Sequence, residues 1–179
     1  MDLELNQKGF GFLKDDINYF SVTARYRKHW KLSERFYFAG GLTGMYSPNK
    51  TIPYFLYRGL GYGKEFLRGY EYYVIDGQQF ALLKTNLKFQ LLRTHSVHAS
   101  FIPLTKFNTI PYAFYLNFYG DAGYVKDPLY STGNPLANSL LYSYGTGLDF
   151  VTYYDIVFRF EYSINKLGES GFFLHFTAP

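Results

Sequence analysis

The chain has 179 residues, enough for one domain with a sizeable core, and a formal net charge of +4. It has no cysteine, which excludes a disulfide framework and thiolate chemistry. Charged residues make up only 18%, a level that fits neither a disordered chain nor a nucleic-acid binder.

Aromatic residues reach 22%, with 20 Tyr and 19 Phe against one Trp, and this favours strands over helices. No apolar run approaches the roughly 18 residues of a membrane-spanning helix. The first residues, MDLELNQKGFGF, lack the basic region and apolar stretch of an export signal. Taken alone that points to the cytoplasm; for a barrel it makes Met1 an internal residue of a longer precursor.

In chain order, a first strand is expected from Asp2 to Phe12, with a bulge at Gly9 and Gly11, followed by a polar tip at Lys14–Asn18. Tyr19 to Trp30 alternates cleanly. Phe20, Val22, Ala24, Tyr26, Lys28 and Trp30 oppose Tyr19, Ser21, Thr23, Arg25, Arg27 and His29. A tight turn at Lys31–Glu34 leads into Arg35–Tyr46, where Phe36, Phe38, Leu42 and Tyr46 share a face.

Residues 47–77 form a long loop, too aromatic for a flexible linker, with four glycines from Gly59 to Gly69 around Arg68. Gln79–Leu91 again alternates, setting Ala81, Leu83, Thr85, Leu87, Phe89 and Leu91 against Phe80, Leu82, Lys84, Asn86, Lys88 and Gln90. Arg93–Ile110, with Pro103 and then Pro111, is expected to be a long connection at one rim, with room for a short strand of its own. Strands follow at Tyr112–Tyr124, Leu140–Phe150, Tyr154–Ile164 and Gly171–Thr177, with a loop by composition at Lys126–Asn138.

The reading is thus all-β, about eight antiparallel strands of bilayer-crossing length. The polar faces collect Arg25, Arg27, Lys84, Lys88, Asp121, Asp149, Asp155, Arg159 and Glu161; the opposite faces are nearly all apolar. A soluble sandwich would put the apolar face inside. A membrane barrel inverts this, and strand length, aromatic strand ends and mixed charge signs on one face favour the barrel.

Leu67-Arg68-Gly69-Tyr70 resembles the Arg-Gly-aromatic motif in the long extracellular loop of the BamA/TamA-like outer-membrane assembly and translocation pores. Tyr119-Gly120-Asp121-Ala122-Gly123 resembles that family's aromatic-x-Asp-x-Gly strand motif. Phe172, Leu174 and Phe176 resemble the C-terminal aromatic assembly signal, though Thr177-Ala178-Pro179 follow.

The resemblance implies a transmembrane barrel of which residues 1–179 supply about the last half, the first strands of a sixteen-strand barrel and the POTRA domains lying elsewhere. It implies an outer-membrane location and a loop anchor at Arg68, Gly69 and Tyr70, with Asp121 and Glu161 as luminal partners. It further implies unfolded outer-membrane or secreted clients, and contacts with other assembly subunits or with the missing N-terminal part. The alternatives are a two-partner-type secretion pore, a small closed eight-strand barrel acting as adhesin or enzyme, and a soluble sandwich.

No enzymatic activity, cofactor or metal is expected. His95 and His98 would share a metal only on a helix, and no third ligand lies near in sequence. Asp15-Asp16 reads as a solvated tip, and Asp149, Asp155 and Glu161 as wall charges balancing Arg25, Arg27 and Arg159. Gly59–Gly63 lacks the spacing of a phosphate loop.

Overall fold

The computed structural model describes residues 1–9, 18–48, 52–63, 65–98, 108–152 and 156–177. Asp15, Asp16 and Asp155, the far end of the first expected strand and residues 99–107 lie outside these. The chain is all-β: β1 (Asp2–Lys8), β2 (Tyr19–Lys31), β3 (Phe36–Tyr46), β4 (Gln79–His98), β5 (Thr109–Lys126), β6 (Leu140–Val151), β7 (Val157–Asn165) and β8 (Ser170–Thr177), with two short 3₁₀ turns at Tyr54–Leu56 and Ser131–Gly133. Every strand pairs antiparallel with its neighbours in sequence, giving one eight-stranded sheet in the order β1 to β8. The sheet is open. Among the described residues β1 pairs only with β2, and β8 only with β7.

Alternation sets the two faces. One carries Ser21, Thr23, Thr43, Asn117, Asp121, Ser143, Asp149, Glu161 and Ser163, all buried. The other exposes Leu42, Leu83, Leu87, Phe118, Leu148 and Phe160. What covers the polar face is the described part of the loop, residues 52–63 and 65–78, which folds back onto it. Six strand steps separate β2 from β8, about 29 Å in a flat sheet. Yet within this loop Glu65 reaches Arg25 on β2, and Glu71 lies against His175 on β8. The sheet therefore curls around the loop, polar side inward.

The outward face is banded. Toward the end where β2 turns into β3 and β6 is followed by β7, aromatic rings meet across strands: Trp30 with Phe38, Phe36 with Phe89, and Phe114 with Phe150, Phe158 and Phe176 in a row. Cross-strand aromatic pairs of this kind each stabilise a sheet by a few tenths of a kcal/mol to about 1 kcal/mol. Lys28 extends over Trp30, its Nζ 5.3 Å from the ring centre. Toward the opposite end stand Tyr46, Tyr124, Tyr142 and Tyr144, and leucines and phenylalanines fill the interval.

Two expectations are corrected. Arg93–His98 is not a connection but the continuation of β4, which runs 20 residues and pairs with a lengthened β5 as far as His98↔Thr109. Register shifts after Gln90 and Leu92 disguise the alternation there. Pro111 fits because its carbonyl accepts from Thr152 Oγ1 on the β6 side. Its missing N–H faces that same side, beyond the last β5–β6 pair at Ala113↔Val151.

The inner face is also not polar throughout. Near the loop end, Met45, Phe80, Leu82, Val125 and Leu141 form an apolar core with Leu60, Leu67, Tyr70 and Ile75 of the loop. There the loop supplies the apolar surface against which the inner face packs.

Candidate functional site

The loop is a structured element. Leu60 and Ile75 exchange both backbone hydrogen bonds, at 2.9 and 2.8 Å, making it a small hairpin. Its apolar side chains sink into the core just described, and this places Arg68 deep against the wall.

Arg68 is 4% exposed. Its Nε and Nη2 donate to the two oxygens of Asp121 at 2.7 and 2.6 Å, the bidentate fork that a planar guanidinium makes with a carboxylate. Nη1 donates to Asn86 Oδ1 at 2.8 Å and to Glu161 Oε1 at 3.4 Å, and Nη2 also reaches the Thr85 carbonyl at 3.0 Å. The guanidinium lies 3.7 Å above the Tyr119 ring centre, a cation–π contact shielded from water. Alternation places Tyr119, Asp121 and Gly123 on the same inner face of β5.

The small residues of the motifs have steric reasons. Gly69 has φ +80°, and a Cβ there would stand 3.3 Å from Ser143 Cβ and 3.4 Å from Ser163 Cβ. A Cβ on Gly123 would come 3.0 Å from Leu60 Cδ1, so this glycine leaves room for the loop's leucines. Tyr70 is buried, its hydroxyl accepting from Lys166 N at 3.2 Å and facing the Tyr142 carbonyl at 3.4 Å. Asn165 Nδ2 donates to the Gly69 carbonyl at 2.9 Å. The loop is thereby fastened to β5, β6 and β7 together.

A second ionic group lies further along the wall. Asp149, fully buried, accepts from Arg159 Nε and Nη2 at 2.6 and 2.8 Å and from Lys88 Nζ at 2.6 Å. It is balanced mainly by Arg159 and Lys88 rather than by the arginines of β2. At the mouth, burial and the Asp76 carboxylate push the Tyr62 hydroxyl up to about 12, and burial beside Asp127 does the same to Tyr57.

The structure thus brings Arg68, Gly69, Tyr70, Tyr119, Asp121, Gly123 and Glu161 into one place. Phe172, Leu174 and Phe176 lie apart from it, exposed on the outer face of edge strand β8. His95 and His98 sit on the strand extension; three residues apart on a strand, they point to opposite faces and share no metal.

Two residues of the inner cluster escaped sequence reasoning. Glu71 and His175 meet Glu161 across 90 and 14 residues of chain, and no spacing pattern marks them. The one signal pointing there is the parity of β8, which turns His175 away from the side taken by Phe172, Leu174 and Phe176.

Comparison with known protein families, with curated proteins and with solved structures finds no match.

Proposed function

We propose that this sheet is the C-terminal part of an outer-membrane β-barrel of the BamA/TamA-like kind, which inserts or translocates other outer-membrane proteins. The observation that carries the reading is the Arg68–Asp121 fork, in which a loop arginine is held inside the curl by the aspartate of an aromatic-x-Asp-x-Gly strand. The outward banding supports the membrane setting. Phe114 and Tyr124 belong to the two aromatic girdles and stand ten residues apart on β5. That is about 33 Å along the strand and about 25 Å along the normal at a tilt of ~40°, the height of a barrel's apolar band.

The open sheet favours a larger barrel over a closed eight-strand one. In this reading further strands extend the sheet from β1 and come round toward β8, where pairing is weak, and that β8 seam is where clients engage. An unpaired strand edge offers a row of N–H and C=O groups on which an incoming strand can form. The loop, fastened to β5, β6 and β7, stiffens the wall beside that seam. No covalent step is required.

The test is a folding assay. Liposomes carrying the protein should speed the conversion of a urea-denatured outer-membrane barrel to its heat-modifiable folded form, relative to empty liposomes. Arg68→Ala should slow it. Equal rates with and without the protein would refute the proposal.

A further inference from the structure

Beside the Arg68 fork, Glu71 of the loop, Glu161 of β7 and His175 of β8 converge, with one ligand atom of each within 4.8 Å of the others. His175 Nε2 is 3.2 Å from Glu161 Oε2 and 3.5 Å from Glu71 Oε1. One ring nitrogen cannot donate its single proton well to two carboxylates; His175 Nε2 lies within ion-pair distance of both, without a well-formed hydrogen bond to either. His175 Nε2, Glu161 Oε2 and both Glu71 oxygens are shielded from water and make no hydrogen bond.

Glu161 is 1% exposed. Its Oε1 is taken up by Arg68 at 3.4 Å and Arg159 at 3.7 Å, which leaves Oε2 aimed at the cluster. Two carboxylates and an imidazole nitrogen converging on one shielded point form an arrangement that a cation satisfies. Ligands about 2.0–2.1 Å from a tetrahedral Zn²⁺ stand about 3.3–3.4 Å apart, close to the two separations from His175 Nε2.

The surroundings fit. The His175 ring is stacked on Phe66 and Phe173, centroids 5.6 and 6.5 Å away, which fixes its direction. A cavity of about 770 Å³, lined by Glu161 and His175 together with Arg68, Lys84 and Arg159, adjoins two of the three ligands and has room for water.

We propose that Glu71, Glu161 and His175 bind a divalent transition-metal ion of the zinc class, with water completing the coordination. Two carboxylates balance its charge, and the imidazole favours it over Mg²⁺ or Ca²⁺. The bound ion joins the inward loop to the terminal strand, fastening the edge at β8. That consequence for the seam rests on the assembly reading; the binding does not.

The experiment is a calorimetric titration of the metal-stripped full chain with ZnCl₂, repeated with MgCl₂. One equivalent of Zn²⁺ should bind and Mg²⁺ should not compete. Glu71→Gln and His175→Gln, both close in shape to the native residues, should each weaken binding about tenfold or more. A wild-type chain that takes up no Zn²⁺ overturns the proposal, and so do two variants that both bind like wild type. Because uptake is read on the purified chain, it is decided separately from the barrel-folding assay.

Discussion

Removing the Arg68 guanidinium leaves Asp121, whose side chain is fully shielded, without its ion-pair partner, while Glu161 keeps Arg159 and His175 beside it. Loss of one partner of a buried ion pair typically costs about 3–5 kcal/mol, so Arg68→Ala should lower the unfolding free energy by that order in denaturant titrations. Arg68→Lys should recover only part of it. A lysine keeps the charge but cannot make the fork, reach Asn86 and the Thr85 carbonyl together, or lie flat on Tyr119. Pairing Arg68→Ala with Asp121→Asn should cost less than the two changes added, since the second removes the orphaned charge. Additive costs would mean that the fork contributes nothing as a pair. Much of this cluster was legible because alternation alone puts Asp121 and Glu161 on a polar face, and the motif names Arg68. Glu71 and His175 were not, because only the curl of the sheet brings β8 under the loop.

Besides the Arg68 fork and the apolar core, one backbone shape and one carboxylate contribute to the loop's fit to the wall. Gly69→Ala should destabilise by about 1–2 kcal/mol, the cost of a left-handed conformation for a residue with a Cβ, and should speed protease cleavage between residues 58 and 77. At the other side of the loop, Tyr73 Oη donates to Glu169 at 2.7 Å, and Asn165 Nδ2 donates to the same carboxylate at 2.9 Å. Those hydrogen bonds, Asn165 first and then Tyr73, hold the Glu169 carboxyl below its ordinary value of 4.5. Because the folded pKa is depressed, the stabilisation is present above 4.5 and is lost as pH falls through the lower folded value. The loop's protease resistance should therefore drop on acidification in the native chain, and Glu169→Gln should remove part of that dependence. An identical pH profile in the variant would rule out the contact as a contributor. Of the elements, the eight strands and the loop were legible from period-two alternation and turn residues. The outer parts of β4 and β5 were not, since bulges break the alternation and Pro111 argues against a central strand without knowledge of where β6 ends.

At the scale of the molecule, the polar side of the sheet is the covered side and the apolar side is the exposed one. A sheet in water buries its greasy face, since that burial drives folding. Here Phe118, Leu148 and Phe160 stand outward in the middle of the band while Asn117, Asp149 and Glu161 are buried. The sequence pattern shows that the faces differ but is symmetric about which one is inside; the loop breaks that symmetry by covering one of them. The apolar core it forms with Phe80, Leu82 and Val125 was hidden for the same reason, because those residues look like interruptions of a polar face until the loop is placed on them. The most direct test is quenching of a fluorophore placed by single cysteine substitution at Leu148 or Phe160, and at Lys84 as the inward control, in liposomes containing brominated lipids. Lipid quenching should be strong at the two outward sites, deepest near the bilayer centre, and weak at Lys84. Outward sites quenched by aqueous iodide and untouched by brominated lipid would contradict the account.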